Sequence, residues 1–271
     1  MGIEGIRDEA RDGMQFADER QARIAGLVAE RGRVRTSRLT EELEVSEPTV
    51  RKDLSALERR GLLKRTHGGA VAVRPPLEGE FSGRAGRNAQ AKRLIAEACL
   101  EEIGEGDAVF LDNGTTCVQI ARVLGESGRR ATVLTDAPAV AEVLTDAPAV
   151  THVLLGGQLR KISGCLTGPL ALENLNRFAV DVAFIGVSGI TDSRVTVSEL
   201  GEAQLKAAAA SRAGRAVLPV DRTKVGVTDS ARVCGPEDVD VVVTDGADEH
   251  LEQLCGAHRV RLVVANRRPE P

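Results

Sequence analysis

From Ala91 onward the chain repeats one pattern. A short, unbroken run of aliphatic residues is followed by a polar or Gly-bearing break and then by a stretch with helical spacing. The runs are AVFLD (108–112), ATVLT (131–135), VTHVLLGG (150–157), VDVAFIGVSGI (180–190), RAVLPVD (215–221), VDVVVTD (239–245) and VRLVVA (260–265). Helical segments fall at 91–103, from Cys117 to about Leu124, and at 137–145, 199–213 and 247–256. Continuous apolar runs are what strands covered on both faces need, and their alternation with helices predicts a mostly parallel open sheet with helices on both sides. With no Trp or Tyr and only five Phe, the core must be built from Val, Leu, Ile and Ala, which suits that architecture.

The N-terminal part reads differently. Residues 1–18 are polar and rich in Gly, Asp and Arg, a loose tail. In 19–32 Ile24, Leu27 and Val28 recur at helical spacing and Gly32 stops the pattern. Thr36 or Ser37 caps a short helix to Leu43. Ser46 then caps a third, with Pro48 in its first turn, running to Arg60 and stopped by Gly61, with Val50, Leu54 and Leu57 facing inward. LLKRTHGGAVAV reads as two short strands around His67-Gly68-Gly69. Three helices and a hairpin make a winged helix-turn-helix spanning 19–74. Residues 75–90, rich in Pro, Gly and charge, are a linker to a second domain over 91–271.

In such a module the third helix enters the major groove of double-stranded DNA, and residues near its N-terminus meet base edges. Here these are Ser46, Glu47, Thr49, Val50, Arg51 and Lys52. Arg51 can offer a bidentate fork to guanine. Arg35, Ser37 and Arg38 at the second helix, with Lys64, Arg65 and His67 on the hairpin, complete the candidate surface. Lys52, Arg59, Lys64 and Arg65 suit phosphate, which positions without specifying. The net charge of −4 hides an asymmetry. Residues 20–65 hold twelve basic and seven acidic side chains, so the rest carries −9, as a basic reader fused to an acidic partner domain would.

The remaining bulk features narrow the class. No apolar run approaches bilayer length and the start is charged, so the expectation is a cytoplasmic protein with no membrane partner. The five cysteines are odd in number, widely spaced and never paired as C-x-x-C, which predicts buried small hydrophobes with no disulfide framework, metal or cofactor. VLTDAPAV occurs twice, at 133–140 and 143–150; two copies at a period of ten are too few and too short for a solenoid.

In the second domain, DNGTT (112–116) follows a strand and opens a helix. Its backbone N–H groups and helix N-terminus favour an anion, with Thr115 and Thr116 adding hydroxyls, although a Gly-Thr turn serves equally as a plain tight turn. Thr135-Asp136, Gly156-Gly157 and Asp221-Arg222-Thr223-Lys224 end other strands on the same edge, where open α/β sheets bind ligands. Lys224 can supply a cation for phosphate, and Asp136 or Asp221 can accept sugar hydroxyls; turn chemistry or capping is the alternative for each.

The stretch from Arg20 to Val71, with SEPTVRKDL, LERRGLLKR and HGGA, resembles the DeoR-family helix-turn-helix; Lys52 stands where Arg is more usual. KRLIA (92–96), FLDNGTT, VLTD, LLGGQLR, DVAFIG (181–186), SELGEAQLK (198–206) and DRTK are similar to the DeoR-family sensor domain. That domain resembles ribose-5-phosphate isomerase and binds phosphorylated sugars or related metabolites. The resemblance places Asn113, Gly114, Thr115, Thr116, Thr135, Asp136, Gly156, Gly157, Glu202, Lys206 and Lys224 in or near an effector pocket. Asp136 stands where Asn is common and Asn113 where Ser is more usual; a carboxylate at 136 repels phosphate unless Lys or Arg compensates.

The fold expected is therefore α/β, an N-terminal winged helix-turn-helix plus a C-terminal mostly parallel open-sheet sensor domain. The function expected is a non-enzymatic repressor of carbohydrate-metabolism genes. It would be modulated by a sugar phosphate and assembled as a homo-oligomer, dimer or tetramer. Two other readings compete: a sugar-phosphate isomerase-like enzyme with an accessory DNA-binding domain, and a constitutive DNA-binding protein whose second domain only oligomerises.

Overall fold

The computed structural model describes residues 17, 20–28, 33–43, 45–59, 62–66, 68–72 and 88–265. The chain divides into two compact units, the first ending at Leu77.

In the first unit, residues 20–28 form helix α1. Strand β1 (Arg33–Arg35), helices α2 (Thr36–Leu43) and α3 (Glu47–Arg59), and strands β2 (Leu63–Thr66) and β3 (Gly69–Ala72) follow. The predicted helices and hairpin are present; the ends predicted at Gly32, Arg60 and Gly61 lie outside the described residues. Val50, Leu54 and Leu57, three and four residues apart on α3, share one buried cluster with Ile24, Val28 and Leu39. Leu27, expected on the inward face of α1, is only half-buried. Strand β1 was not anticipated: it pairs antiparallel with β3, giving a three-stranded wing ordered β1-β3-β2. That pairing needs Gly69, where a Cβ would stand 2.1 Å from the Val34 carbonyl oxygen.

The second unit is built on seven strands: β4 (Ala108–Leu111), β5 (Ala131–Thr135), β6 (Val150–Leu154), β9 (Val180–Phe184), β12 (Ala213–Pro219), β14 (Val241–Thr244) and β15 (Arg261–Val264). Their order is β15-β14-β12-β9-β4-β5-β6, and every pairing is parallel. Helices α4 (Ala89–Cys99), α5 (Thr115–Ser127) and α6 (Pro138–Leu144) pack on one face, with Val109, Leu111, Val133, Val182, Phe184, Val217, Val241 and Val243 beneath them. Helices α7 (Pro169–Leu175), α8 (Leu200–Arg212) and α9 (Glu249–His258) cover the other, over Phe110, Leu134, Ala183, Ala216, Leu218 and Val242. Successive residues of each strand go to opposite cores, the physical reason the runs are apolar throughout.

Two antiparallel additions were not foreseen: the hairpin β7 (Gln158–Arg160) with β8 (Cys165–Thr167), and a small sheet of β10 (Gly189–Thr191), β11 (Arg194–Val197) and β13 (Ala231–Cys234). The run 180–190, expected as one strand, breaks after Phe184. There the Ile185 N–H goes to the Val217 carbonyl and the Gly186 N–H turns to a carboxylate oxygen of Asp112. Helix α4 ends sooner than predicted, passing into a 3-10 turn at Leu100–Glu102, and α5 starts at Thr115 rather than Cys117.

From β4 the chain winds outward through β5 and β6, and from β9 in the other direction through β12, β14 and β15. The switch point lies between β4 and β9, where such sheets leave a crevice at the carboxyl ends of the strands.

Candidate DNA interface and effector site

The first unit presents α3 beside the wing. Ser46 caps α3, its Oγ accepting from the Thr49 backbone N–H at 3.4 Å and sharing a 2.8 Å hydrogen bond with Thr49 Oγ1. Glu47, Arg51, Lys52, Ser37, Arg38, Arg35, Lys64 and Arg65 are exposed, and Thr49 is half-buried. Arg35, Ser37, Glu47, Arg51 and Arg65 line one open cleft of about 610 Å³ between β1, α2, α3 and the wing. Arg65 donates from Nη1 to Ser55 Oγ at 2.8 Å and its N–H to Glu58 at 2.9 Å, which ties the wing to α3. Val50 is a correction. It is fully buried in the core beneath α3, so it supports the surface without meeting a base. His67 lies outside the described residues.

Helix α3 is held from behind by a part-buried ion pair that the sequence reading did not anticipate. Asp53 is 3% exposed and accepts from Arg20 Nε at 2.6 Å, Arg20 Nη2 at 3.3 Å and Gln21 Nε2 at 3.0 Å. Arg20, counted above as part of a basic field, is thus spent on positioning.

In the second unit a polar network occupies the switch point. Lys206 on α8, buried, donates to both carboxylate oxygens of Asp112 and to Asn113 Oδ1 at 2.6 Å. Asp112 closes the gap to β9 by accepting the Gly186 N–H at 2.6 Å. Asn113 Nδ2 reaches Glu202 Oε2 at 3.4 Å. The other oxygen of Glu202 accepts from Arg160 Nη1 at 3.0 Å and from the Cys165 thiol at 3.4 Å, while Arg160 also holds Ser163 Oγ at 3.0 Å. Burial opposes the charge on Lys206, but Asp112, Asp136 and Glu202 outweigh it and raise its pKa, so the ammonium persists. Burial also pushes Glu202 upward, yet Lys206, Ser163 and Arg160 leave it below the usual carboxylate range.

Of the eleven predicted effector residues, Asn113, Glu202 and Lys206 meet in this network. Thr115 and Thr116 are buried in the first turn of α5, and Thr135 and Asp136 at the end of β5. Gly114 caps α5 without a side-chain hydrogen bond. Thr135 Oγ1 accepts the Ala137 N–H at 3.0 Å, a turn role. Gly156 and Gly157 carry φ of +75° and +125°, and a Cβ on Gly157 would stand 2.6 Å from the Thr167 carbonyl oxygen; they launch the β7–β8 hairpin. Lys224, offered as the phosphate cation, donates to the Val187 carbonyl at 2.6 Å. Asp221 caps the turn that carries it, accepting the Thr223 N–H at 3.1 Å.

Asp112, Arg160, Ser163 and Cys165 were missed. Asp112 opens the DNGTT motif and Arg160 closes LLGGQLR, so both lay in stretches already singled out; Ser163 and Cys165 had no sequence signal. Cys165 is also a correction to the reading of all five cysteines as plain apolar fillers, since its thiol bonds Ser163 and Glu202. Cys234 is half-buried. Among the described residues no helix is long and apolar enough to cross a membrane.

A helix-turn-helix with its wing and a parallel sheet with a buried polar network at its switch point define a DNA-binding regulator with a sensor domain. The model of the DeoR-like helix-turn-helix domain matches residues 20–75, and that of the DeoR C terminal sensor domain matches 87–246. The HTH-type transcriptional regulator GlpR of Haloferax volcanii is 34% identical over 230 residues, covering 84% of this chain and 89% of the relative. The lactose phosphotransferase system repressor of Lactococcus lactis is 32% identical over 240 residues, covering 87% and 94%. Ribose 5 phosphate isomerase A from Neisseria gonorrhoeae aligns at 18% identity over 51% of this chain and 53% of that one, with a TM-score of 0.38. The chain belongs to the DeoR family. It is a DNA-binding transcriptional regulator and not the isomerase-like enzyme considered above.

Proposed function

We propose that this regulator represses carbohydrate-metabolism genes from the cytoplasm, and that a sugar phosphate at the β4–β9 switch point changes its affinity for operator DNA. The observation that carries this reading is the buried Lys206–Asp112–Asn113–Glu202 network beside the uncapped N-terminus of α5. That N-terminus offers its first-turn N–H groups to an anion. The name of the Lactococcus lactis relative, a repressor of a lactose phosphotransferase system, supports the sugar connection. The reader is assigned to 19–74, the linker to 75–90 and the sensor to 91–271. DNA contacts are assigned to the exposed predicted residues of α2, α3 and the wing, and effector contacts to the strand-end residues described above.

One recognition helix reads one half-site, so a homo-oligomer, dimer or tetramer, is the working form. An effector acts by binding the DNA-competent and incompetent states unequally. Electrophoretic mobility shift on promoter fragments flanking the gene, with and without a panel of sugar phosphates, tests the proposal. A specific shift altered by at least one sugar phosphate is expected. DNA binding indifferent to the whole panel would replace this reading with the constitutive one.

A further inference from the structure

The strand-end cluster contains one group whose bonding is incomplete. Asp136 is 1% exposed, and its Oδ1 has no hydrogen-bond partner among the described residues. The charged and titratable groups that interact with it electrostatically are Asp112 after β4, Glu202 and Lys206 on α8, the Cys117 thiol on α5 and the Cys165 thiol on β8. Arg160 on β7 completes the set through Glu202. Lys206 is committed to Asp112 and Asn113, and Arg160 to Glu202 and Ser163. Among these described groups, all ionised, three carboxylates face two cations, and the uncompensated charge falls on the oxygen that lacks a partner. A buried carboxylate is not left bare: a proton or a cation must neutralise it.

We propose that the effector supplies that cation, an ammonium group that ion-pairs with Asp136, so that the ligand class is an amino-sugar phosphate. The assignment rests on the effector site proposed above and narrows its chemistry. In the free protein a proton takes the same place. Burial, and then the neighbouring Asp112 charge, hold the Asp136 carboxyl well above the usual range. Binding is then an exchange. The Asp136 O–H bond breaks, its proton leaves to solvent, and the ligand N–H groups donate to the carboxylate; no covalent bond to the ligand forms. A sugar with a hydroxyl in place of the amine leaves the proton where it is and makes only neutral hydrogen bonds, which are about half as strong as charge-assisted ones.

Titration calorimetry on the full chain tests this with two matched pairs: glucosamine 6-phosphate against glucose 6-phosphate, and galactosamine 6-phosphate against galactose 6-phosphate. Each is run in two buffers of different ionisation heat, so that released protons are counted; the phosphate contributes equally within a pair. The amino member of at least one pair should bind about tenfold tighter and release about one proton more than its partner. Asp136→Asn should bring the two members within about twofold and abolish the extra proton. If the variant does not fold, the wild-type proton count decides alone. Equal affinities and equal proton counts within both pairs overturn the ammonium assignment while leaving a sugar-phosphate site intact. No binding of any of the four overturns the assignment and the site together.

Discussion

Lys206 on α8 donates to both carboxylate oxygens of Asp112, a residue 94 positions earlier at the end of β4. Both side chains are buried, and through Asn113 and Gly186 the pair joins α8, the α5 entry turn and the loop after β9. Charges taken out of water need this completeness of bonding, because an isolated member would cost several kcal/mol. The groups at the switch point thus already satisfy one another, and Asp136 is the exception.

Removing one partner should therefore be worse than removing both. Lys206→Met strands Asp112 and should destabilise the second unit by about 3–5 kcal/mol, with the double variant Asp112→Asn/Lys206→Met recovering part of the loss. Urea unfolding followed by far-UV circular dichroism measures both. A double variant no better than the single would show that the pair is not the unit of stability.

Asp53 should behave as a structural residue despite sitting on the recognition helix. Asp53→Ala leaves Arg20 and Gln21 without their acceptor and should cost about 1–3 kcal/mol in the first unit. It should weaken operator and random DNA to a similar degree. Unchanged proteolytic resistance of the first unit would contradict this.

Arg51 and Lys64 should separate specificity from affinity. Arg51→Ala should cost about 1–3 kcal/mol on the operator and relax discrimination at one base pair. Lys64→Ala should weaken all sequences alike and lower the salt-dependence slope by about 1. Fluorescence anisotropy against operator and scrambled duplexes across a salt series distinguishes the two.

Asp136 should make stability depend on pH in the sense opposite to an ordinary paired aspartate. Its folded-state pKa is raised by burial and by Asp112, so the folded protein keeps a proton that the unfolded chain releases. Its contribution is fully present below the unfolded value near 4 and declines as pH rises toward the raised one. Asp136→Asn cannot ionise, so its Tm relative to wild type should climb as pH rises above about 4. An advantage that stays flat with pH would show that Asp136 is ionised in the fold.

Gly157 is held at φ +125° against the Thr167 carbonyl oxygen. Gly157→Ala meets both a forbidden backbone conformation and a clash, and should destabilise the β7–β8 hairpin by more than about 1 kcal/mol. Increased amide exchange across 158–167 is the expected signature. Protection equal to that of wild type would show that the turn relaxes without cost.

Much of this was legible in the residues themselves. The seven apolar runs became the seven parallel strands because a two-sided core demands unbroken Val, Leu and Ala. SEPTVRKDL became a capped helix because Ser46 and Pro48 are local signals. The family resemblance singled out Glu202, Lys206 and Asn113, which the structure brings into one network. What could not be read was anything set by partners far away in sequence: the β1–β3 pairing and the Arg20–Asp53 clamp.

The repeated octapeptide VLTDAPAV separates the two contributions. At 133–140 it runs from strand β5 into helix α6, with Thr135 and Asp136 buried at the end of β5; at 143–150 it runs from helix α6 into strand β6, with Thr145 and Asp146 exposed. The sequence by itself determined that each copy holds an apolar segment, a Thr-Asp break and a second apolar segment. Whether a segment became strand or helix, and whether its aspartate was exposed or buried, was decided by which neighbours covered its apolar face, because local propensity is weaker than tertiary burial.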